Sequence, residues 1–127
     1  MDRLSAGARA AVLDRTLSAL AGPNRRRVIE LLRERPRPSG ELAQAAGLSA
    51  PAMSRHLRTL RQSGLVAEDH DGFDARVRVY RLRPEPMADL KDWLEETERL
   101  WSEQLLAFKA HLEQPPTNAK LREKDEA

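Results

Sequence analysis

Hydrogen-bonding side chains recur on one side of a short segment near the middle of the sequence. At about 100° per residue, Arg55, Arg58 and Gln62 fall on one face of a helix. Ser54 and Thr59 flank that face. Guanidinium groups bond guanine edges or phosphates in a bidentate manner, and small residues near a helix start permit close approach. The segment therefore has the chemistry of a helix that enters the major groove of duplex DNA. An ordinary amphipathic surface helix is the alternative.

The opposite face of the same segment is apolar. Met53, Leu57 and Leu60 fall within about 60° of one another and predict the buried side of a helix ending near Ser63. His56 lies at the edge of this apolar face. It is predicted either to contact a phosphate or to be a half-buried histidine bonded to a backbone carbonyl.

Local signals position this helix. In the preceding Gly47-Leu48-Ser49, glycine permits a positive φ and the serine hydroxyl caps the helix start. Gly64 predicts its C-terminal end. A short helix is predicted before the turn, capped by Ser39. Two further helices precede that one, over residues 4–20 and from an Asn24 cap to Glu34.

A β-hairpin is predicted after the helix, from strands at 65–70 and 76–82 around a turn at 71–74. Arg76 and Arg78 are predicted to share one face of the second strand and to contact the DNA backbone or minor groove. A solvated strand face is the alternative. Acidic residues at the tip argue against its deep insertion. Tyr80 and Leu82 are predicted to belong to the core.

A long helix is predicted from residue 86 to 112. Its apolar residues recur three and four positions apart and form a seam: Met87, Leu90, Leu94, Trp101, Leu105, Phe108 and Leu112. Residues 1–113 are expected to form one domain and residues 114–127 a disordered tail.

Charge is distributed unevenly over the 127 residues, although the net charge is only +2. Residues 22–83 carry 13 arginines and 7 acidic residues, a net +6, whereas residues 84–113 carry a net −5. A basic middle beside an acidic helix is typical of a chain that meets a polyanion at one place.

The chain has no cysteine, no apolar run of membrane-spanning length and no signal-peptide pattern, so a cytoplasmic location is expected. It has no phosphate-binding glycine loop or nucleophile–base motif, so it is not predicted to be an enzyme.

Several stretches together resemble the ArsR family of winged helix-turn-helix regulators, over roughly residues 12–112. The stretches are residues 24–32, 40–43, Leu48-Ser49, Met53-Ser54-Arg55-His56-Leu57, Leu60, Gly64-Leu65-Val66 and residues 77–82. The stretch at 53–57 followed by Gly-Leu-Val is the more specific part; the helix periodicities alone are not specific.

The resemblance implies a homodimeric repressor that binds a partly palindromic operator in double-stranded DNA, often near the promoter of its own gene. Carried over by position, it implies base contacts from Ser49, Ala50, Ala52, Ser54 and Arg55. Backbone contacts would come from His56, Arg58, Arg76 and Arg78. Pairing of the terminal helices across the two-fold axis would involve Leu4, Ala8, Val12, Leu90, Leu94, Trp101, Leu105 and Phe108.

The chain departs from the metal-sensing members of that family. Residues 41–46 contain no Cys-x-Cys, and Asp89, Asp92 and His111 do not have the spacing of the metal site on the last helix. No metal or cofactor is therefore expected. Trp93 and Trp101 are expected to pack in the core or dimer interface, or else to border a small apolar effector.

A second hypothesis for the whole chain is a winged helix that binds another protein through its long C-terminal helix.

Overall fold

The computed structural model describes residues 5–70, 72–74 and 76–114. The predicted class, mainly helical with a small hairpin, is confirmed. Leu4 and the proposed tail from residue 115 lie outside the described residues. The elements in chain order are α1 (Ala6–Leu20), α2 (Pro23–Glu34), β1 (Arg37–Pro38), α3 (Ser39–Ala46), α4 (Ala50–Gln62), β2 (Val66–His70), β3 (Arg78–Leu82) and α5 (Pro84–Glu113).

The chain divides into two compact units, one ending at Asp92 and the other beginning at Trp93. The first unit has one hydrophobic core. Met53, Leu57 and Leu60 of α4 are each at most 1% exposed and pack there with side chains from α2, α3 and the sheet. Removing this much apolar surface from water is the main force that holds the small helices together. Tyr80 is buried and Leu82 packs against the same core, as predicted.

Helix starts differ from two of the sequence predictions. Asn24 does not cap α2: Gly22 holds the cap position and Pro23 is the first helical residue. Proline is favoured there because its missing N–H would have no partner in a helix anyway. Ser39 does not cap α3 either, because it is already helical and follows Pro38 at the cap position. Both helices therefore begin without a side-chain cap.

The sheet has three strands in the order β1-β3-β2, one more than the predicted hairpin. In β1, Arg37 pairs with Tyr80 and Pro38 with Val79. The Arg37 side chain is buried, donates to the Leu31 carbonyl at 3.0 Å and forms ion pairs with Glu34 and Glu41. These bonds to α2 and α3 fix a strand only two residues long.

The second unit, described by itself, consists of α5 from Trp93 onward. Its large apolar side chains are exposed, from 43% for Trp93 to 68% for Trp101. Arg99 and Glu103 form an ion pair one helical turn apart, at 3.3 Å. Neither this helix nor any other in the described ranges is long and apolar enough to cross a membrane.

Candidate nucleic-acid interface

The turn between α3 and α4 has the geometry predicted from its residues. Gly47 has a φ of 70° and ends α3, with its backbone N–H bonded to carbonyls of the last helical turn. Leu48 N–H bonds the Ala43 carbonyl at 2.9 Å. Ser49 then caps α4, its hydroxyl accepting a hydrogen bond from Ala52 N–H at 3.2 Å. At the other end Gly64, with a φ of 79°, lets the chain leave α4 for β2.

Helix α4 has the two faces that the sequence predicted. Opposite its buried side, Ser54, Arg55 and Arg58 are exposed. Ser49 and Ala50 are exposed at the start of the helix, and Ala52 is half-buried. The first turn therefore presents small side chains, a favourable surface for close approach to bases.

Arg55 and Arg58 differ from the other arginines of this region. Within the described part of the chain, neither guanidinium has a carboxylate or carbonyl partner, whereas Arg61, Arg76, Arg78 and Arg81 each form an ion pair. An unpaired guanidinium keeps its five donors available for an external acceptor. The exposed face of α4 is thus the place where this surface offers uncompensated positive charge.

His56 is half-buried beside that face. Burial lowers the pKa of His56, and the nearby charges of Arg25 and Arg55 lower the pKa further. Each effect disfavours the imidazolium. The imidazole is therefore more readily neutral than an exposed histidine.

The hairpin places Arg76 and Arg78 differently from the prediction. Arg76 is not on a strand: it lies in the turn before β3, and its backbone N–H and guanidinium both bond Asp74. This bonding lowers the pKa of the Asp74 carboxyl. Arg78 is the first residue of β3 and pairs with Glu68 at 3.0 Å. The two arginines therefore do not share a strand face, although both are exposed.

A polar cluster that the sequence analysis missed joins α4 to the hairpin. The Glu68 carboxylate of β2 accepts hydrogen bonds from Arg61 at 2.6 Å, Arg78 at 3.0 Å and the Tyr80 hydroxyl at 3.1 Å. Partial burial by itself raises the pKa of Glu68, but the bonds from Arg78 and Tyr80 and the charge of Arg61 outweigh it, so that the pKa is lowered. A signal was present, since Glu68 and Tyr80 are cross-strand partners in the hairpin register.

In residues 5–70, 72–74 and 76–114 the His, Asp and Glu side chains form no group of three that could hold an ion. The site's chemistry is that of a cationic and hydrogen-bonding surface. Helix, turn, helix and hairpin in this order, with an exposed basic second helix, define the winged helix-turn-helix class of DNA-binding transcriptional regulators.

Comparisons with known proteins agree with this class. Residues 22–68 match the family model described as bacterial regulatory protein, arsR family. The chain is 37% identical over 95 residues to the HTH-type transcriptional regulator Rv2034 of Mycobacterium tuberculosis, covering 75% of this chain and 83% of that protein. It is similar to the crystal structure of the ArsR family transcriptional regulator RHA00566, with 32% identity, a TM-score of 0.64 and coverage of 72% and 97%.

A second similar structure has a comparable fold at lower identity. It is the solution structure of the homodimeric winged helix-turn-helix DNA-binding domain of Mb0332 from Mycobacterium bovis, with 24% identity and a TM-score of 0.57. That likeness covers 91% of this chain and 97% of the other.

The chain belongs to the ArsR family of transcriptional regulators, and the resemblance inferred from its sequence is confirmed.

Proposed function

We propose that this regulator is a homodimeric repressor that binds a partly palindromic operator through α4. The observation that carries the proposal is the pair of exposed arginines, Arg55 and Arg58, that have no partner within the described residues. The proposed base contacts are Ser49, Ala50, Ala52, Ser54 and Arg55. The proposed backbone contacts are His56, Arg58, Arg76 and Arg78.

The two arginines of the hairpin already have carboxylate partners. Arg76 pairs with Asp74 and is 91% exposed; such a pair is weak, typically below about 1 kcal/mol, so a phosphate competes readily with Asp74. Arg78 is 62% exposed and bonds the less exposed Glu68 through one nitrogen, so its other donors can reach a phosphate while that bond is kept. We therefore expect these arginines to contribute less to affinity than Arg55.

The dimer is proposed from α5. Leu94, Trp101, Leu105 and Phe108 fall within about 60° of one another at helical spacing, and each is at least 50% exposed in the single chain. An apolar stripe of this kind marks an interaction surface. We assign it to a second copy, in keeping with the homodimeric Mb0332 domain. Ala8 and Val12 of α1, both half-buried, are separately proposed to contact the second copy.

The exposure of Leu90 and of the two tryptophans indicates what each contributes to the proposed interface. Leu90 is only 7% exposed in the first unit, so it is already packed within its own chain and we expect it to contribute less. Trp93 and Trp101 are both exposed in the single chain, which supports packing in the dimer interface for them. Pairing of apolar side chains from two copies would remove this stripe from water.

Repression follows from occupancy of DNA near a promoter, including that of the regulator's own gene, and such a role places the protein in the cytoplasm. The proposal assigns no catalysis to it. The test is binding to fragments of its own promoter region across a salt series, followed by footprinting. A protected, symmetric site and a steep loss of affinity with salt are expected. Binding with equal affinity to every fragment would contradict an operator-specific repressor.

A winged helix that binds another protein is the second candidate, favoured by the same exposed stripe on α5. The two functions differ in what covers the stripe. A monomer in solution that binds no promoter fragment would favour the second candidate, whereas a dimer with a footprint would exclude it.

A further inference from the structure

We propose that Glu68 is a positioning residue for DNA binding, which fixes the hairpin relative to α4 and thereby raises discrimination between the operator and other DNA. This inference rests on the proposed function. Glu68 bears a negative charge, so it would not be selected as a DNA-binding residue on the basis of charge alone.

Among the described side-chain bonds, Glu68 of β2 is the one acceptor that joins α4 to β3. Arg61 comes from the last turn of α4, and Arg78 and Tyr80 come from β3. Their three donors reach the same carboxylate at 2.6, 3.0 and 3.1 Å. A carboxylate accepts several such bonds at once, and charge-assisted bonds are stronger than neutral ones.

Burial distinguishes this cluster from an ordinary surface ion pair. The Glu68 side chain is 17% exposed, and its partner Tyr80 belongs to the hydrophobic core. Screening by water and salt is weaker for partly buried groups, and a shared acceptor restrains several side chains together. Glu68 therefore links the DNA-facing helix to the core-anchored strand that carries Arg78.

A neighbouring carboxylate lacks this connection. Asp69 of β2 pairs with Arg81 at 2.6 Å, and its side chain is 50% exposed. Both partners lie within the hairpin and neither reaches α4 in the described bonds. Replacing Asp69 with asparagine removes the same charge as replacing Glu68 with glutamine, so it is a matched control for electrostatics.

The two substitutions predict different outcomes. Loss of one negative charge strengthens binding to any duplex, so E68Q and D69N both raise affinity for a scrambled duplex slightly. Only E68Q loosens the hairpin relative to α4. The ratio of operator affinity to scrambled-duplex affinity is therefore expected to fall on the order of tenfold in E68Q, the size of a lost charge-assisted bond, and to stay at the parent value in D69N.

The experiment uses the full chain, the tightest duplex that it selects from a random pool, and a scrambled duplex of equal length, at matched salt. An E68Q ratio equal to that of D69N would overturn the proposal. Failure of the parent and D69N to prefer any duplex would instead contradict the proposed function. Thermal unfolding of each variant shows whether it is folded.

A second pair of variants covers the case in which E68Q does not fold. Arg61→Gln opens the α4 side of the cluster, and Arg61→Lys keeps a cation that can still pair with Glu68. The ratio is expected to fall in Arg61→Gln and to be largely restored in Arg61→Lys. An unchanged ratio in Arg61→Gln would also overturn the proposal.

Discussion

The Ser49 hydroxyl accepts a hydrogen bond from the Ala52 backbone N–H at 3.2 Å, at the start of the helix proposed to contact DNA. This bond satisfies one of the N–H groups that a helix leaves without a partner at its beginning. It also orients the first turn of α4, where the small side chains lie. Neighbouring residues at the start of α4 therefore stabilise the helix and are proposed to contact DNA. Two serine variants distinguish these two roles.

Ser49→Ala is expected to lower the free energy of unfolding by about 1 kcal/mol, because the cap bond is lost. Ser54→Ala is its control: Ser54 is exposed on the same helix and its hydroxyl has no bond among the described residues. It should leave stability unchanged and weaken operator binding. Chemical denaturation and fluorescence anisotropy measure the two effects. Equal stability of both variants would refute the capping role.

Arg55→Ala is expected to cost about 1–3 kcal/mol of operator binding, since a bidentate contact to a base is lost and nothing replaces it. Arg33→Ala is the matched control, because Arg33 is also exposed and unpaired among the described residues but lies at the end of α2. Anisotropy titrations at one salt concentration measure both. Parent-like affinity in Arg55→Ala would mean that α4 does not make the principal contact.

The α3–turn–α4 region was predictable because its signals are local. Gly47, Ser49 and Gly64 each act on the backbone beside them, and the spacing of Met53, Leu57 and Leu60 is a property of one helix. Strand β1 was missed because its pairing with Tyr80 is non-local, and because Pro36 before it and Pro38 within it suggest a break.

The position of Arg76 was also predicted wrongly from the sequence pattern. Alternation along residues 76–82 predicted a strand, but the Asp74 carboxylate bonds the Arg76 N–H at 3.0 Å and turns the chain there. Asp side chains favour such local turns. The Glu68 cluster could not be predicted because it depends on the strand register and on the position of α4 beside the hairpin. The spacing of apolar residues in the sequence shows neither.

Leu105→Asp is expected to convert the dimer into a monomer, because it places a charge in the apolar stripe of α5. Ala110→Asp puts the same charge on the opposite face of that helix, about 170° from the centre of the stripe, and should leave the dimer intact. Light scattering gives the mass of each variant. Operator affinity should fall at least about 100-fold in Leu105→Asp through loss of bivalent binding. A dimeric Leu105→Asp would contradict the assigned interface.

Titration of His56 is expected to give the free energy of unfolding and the affinity for DNA opposite dependences on pH. Its lowered pKa means that the unfolded chain binds more protons near the ordinary histidine pKa of about 6.5, so the free energy of unfolding falls as pH decreases through that value. A phosphate near the ring would instead raise the pKa, so DNA binding would take up a proton and tighten as pH falls from 8 to 6.

His56→Gln removes both trends, and the difference between the parent and this variant isolates the histidine. Denaturation measures the first trend, and anisotropy at each pH measures the second. If the affinities of the parent and His56→Gln change in parallel with pH, His56 does not contact a phosphate. The hypothesis of a half-buried histidine bonded within the protein would then be favoured.

Selection of duplexes from a random-sequence pool by the full chain tests the central claim most directly. A dimer with two copies of α4 in successive major grooves predicts enriched sequences with two inverted half-sites, their centres about 10–10.5 base pairs or a multiple of that apart. Enrichment of a single, unrepeated half-site, or no enrichment over the starting pool, would contradict the proposed dimeric, operator-specific regulator.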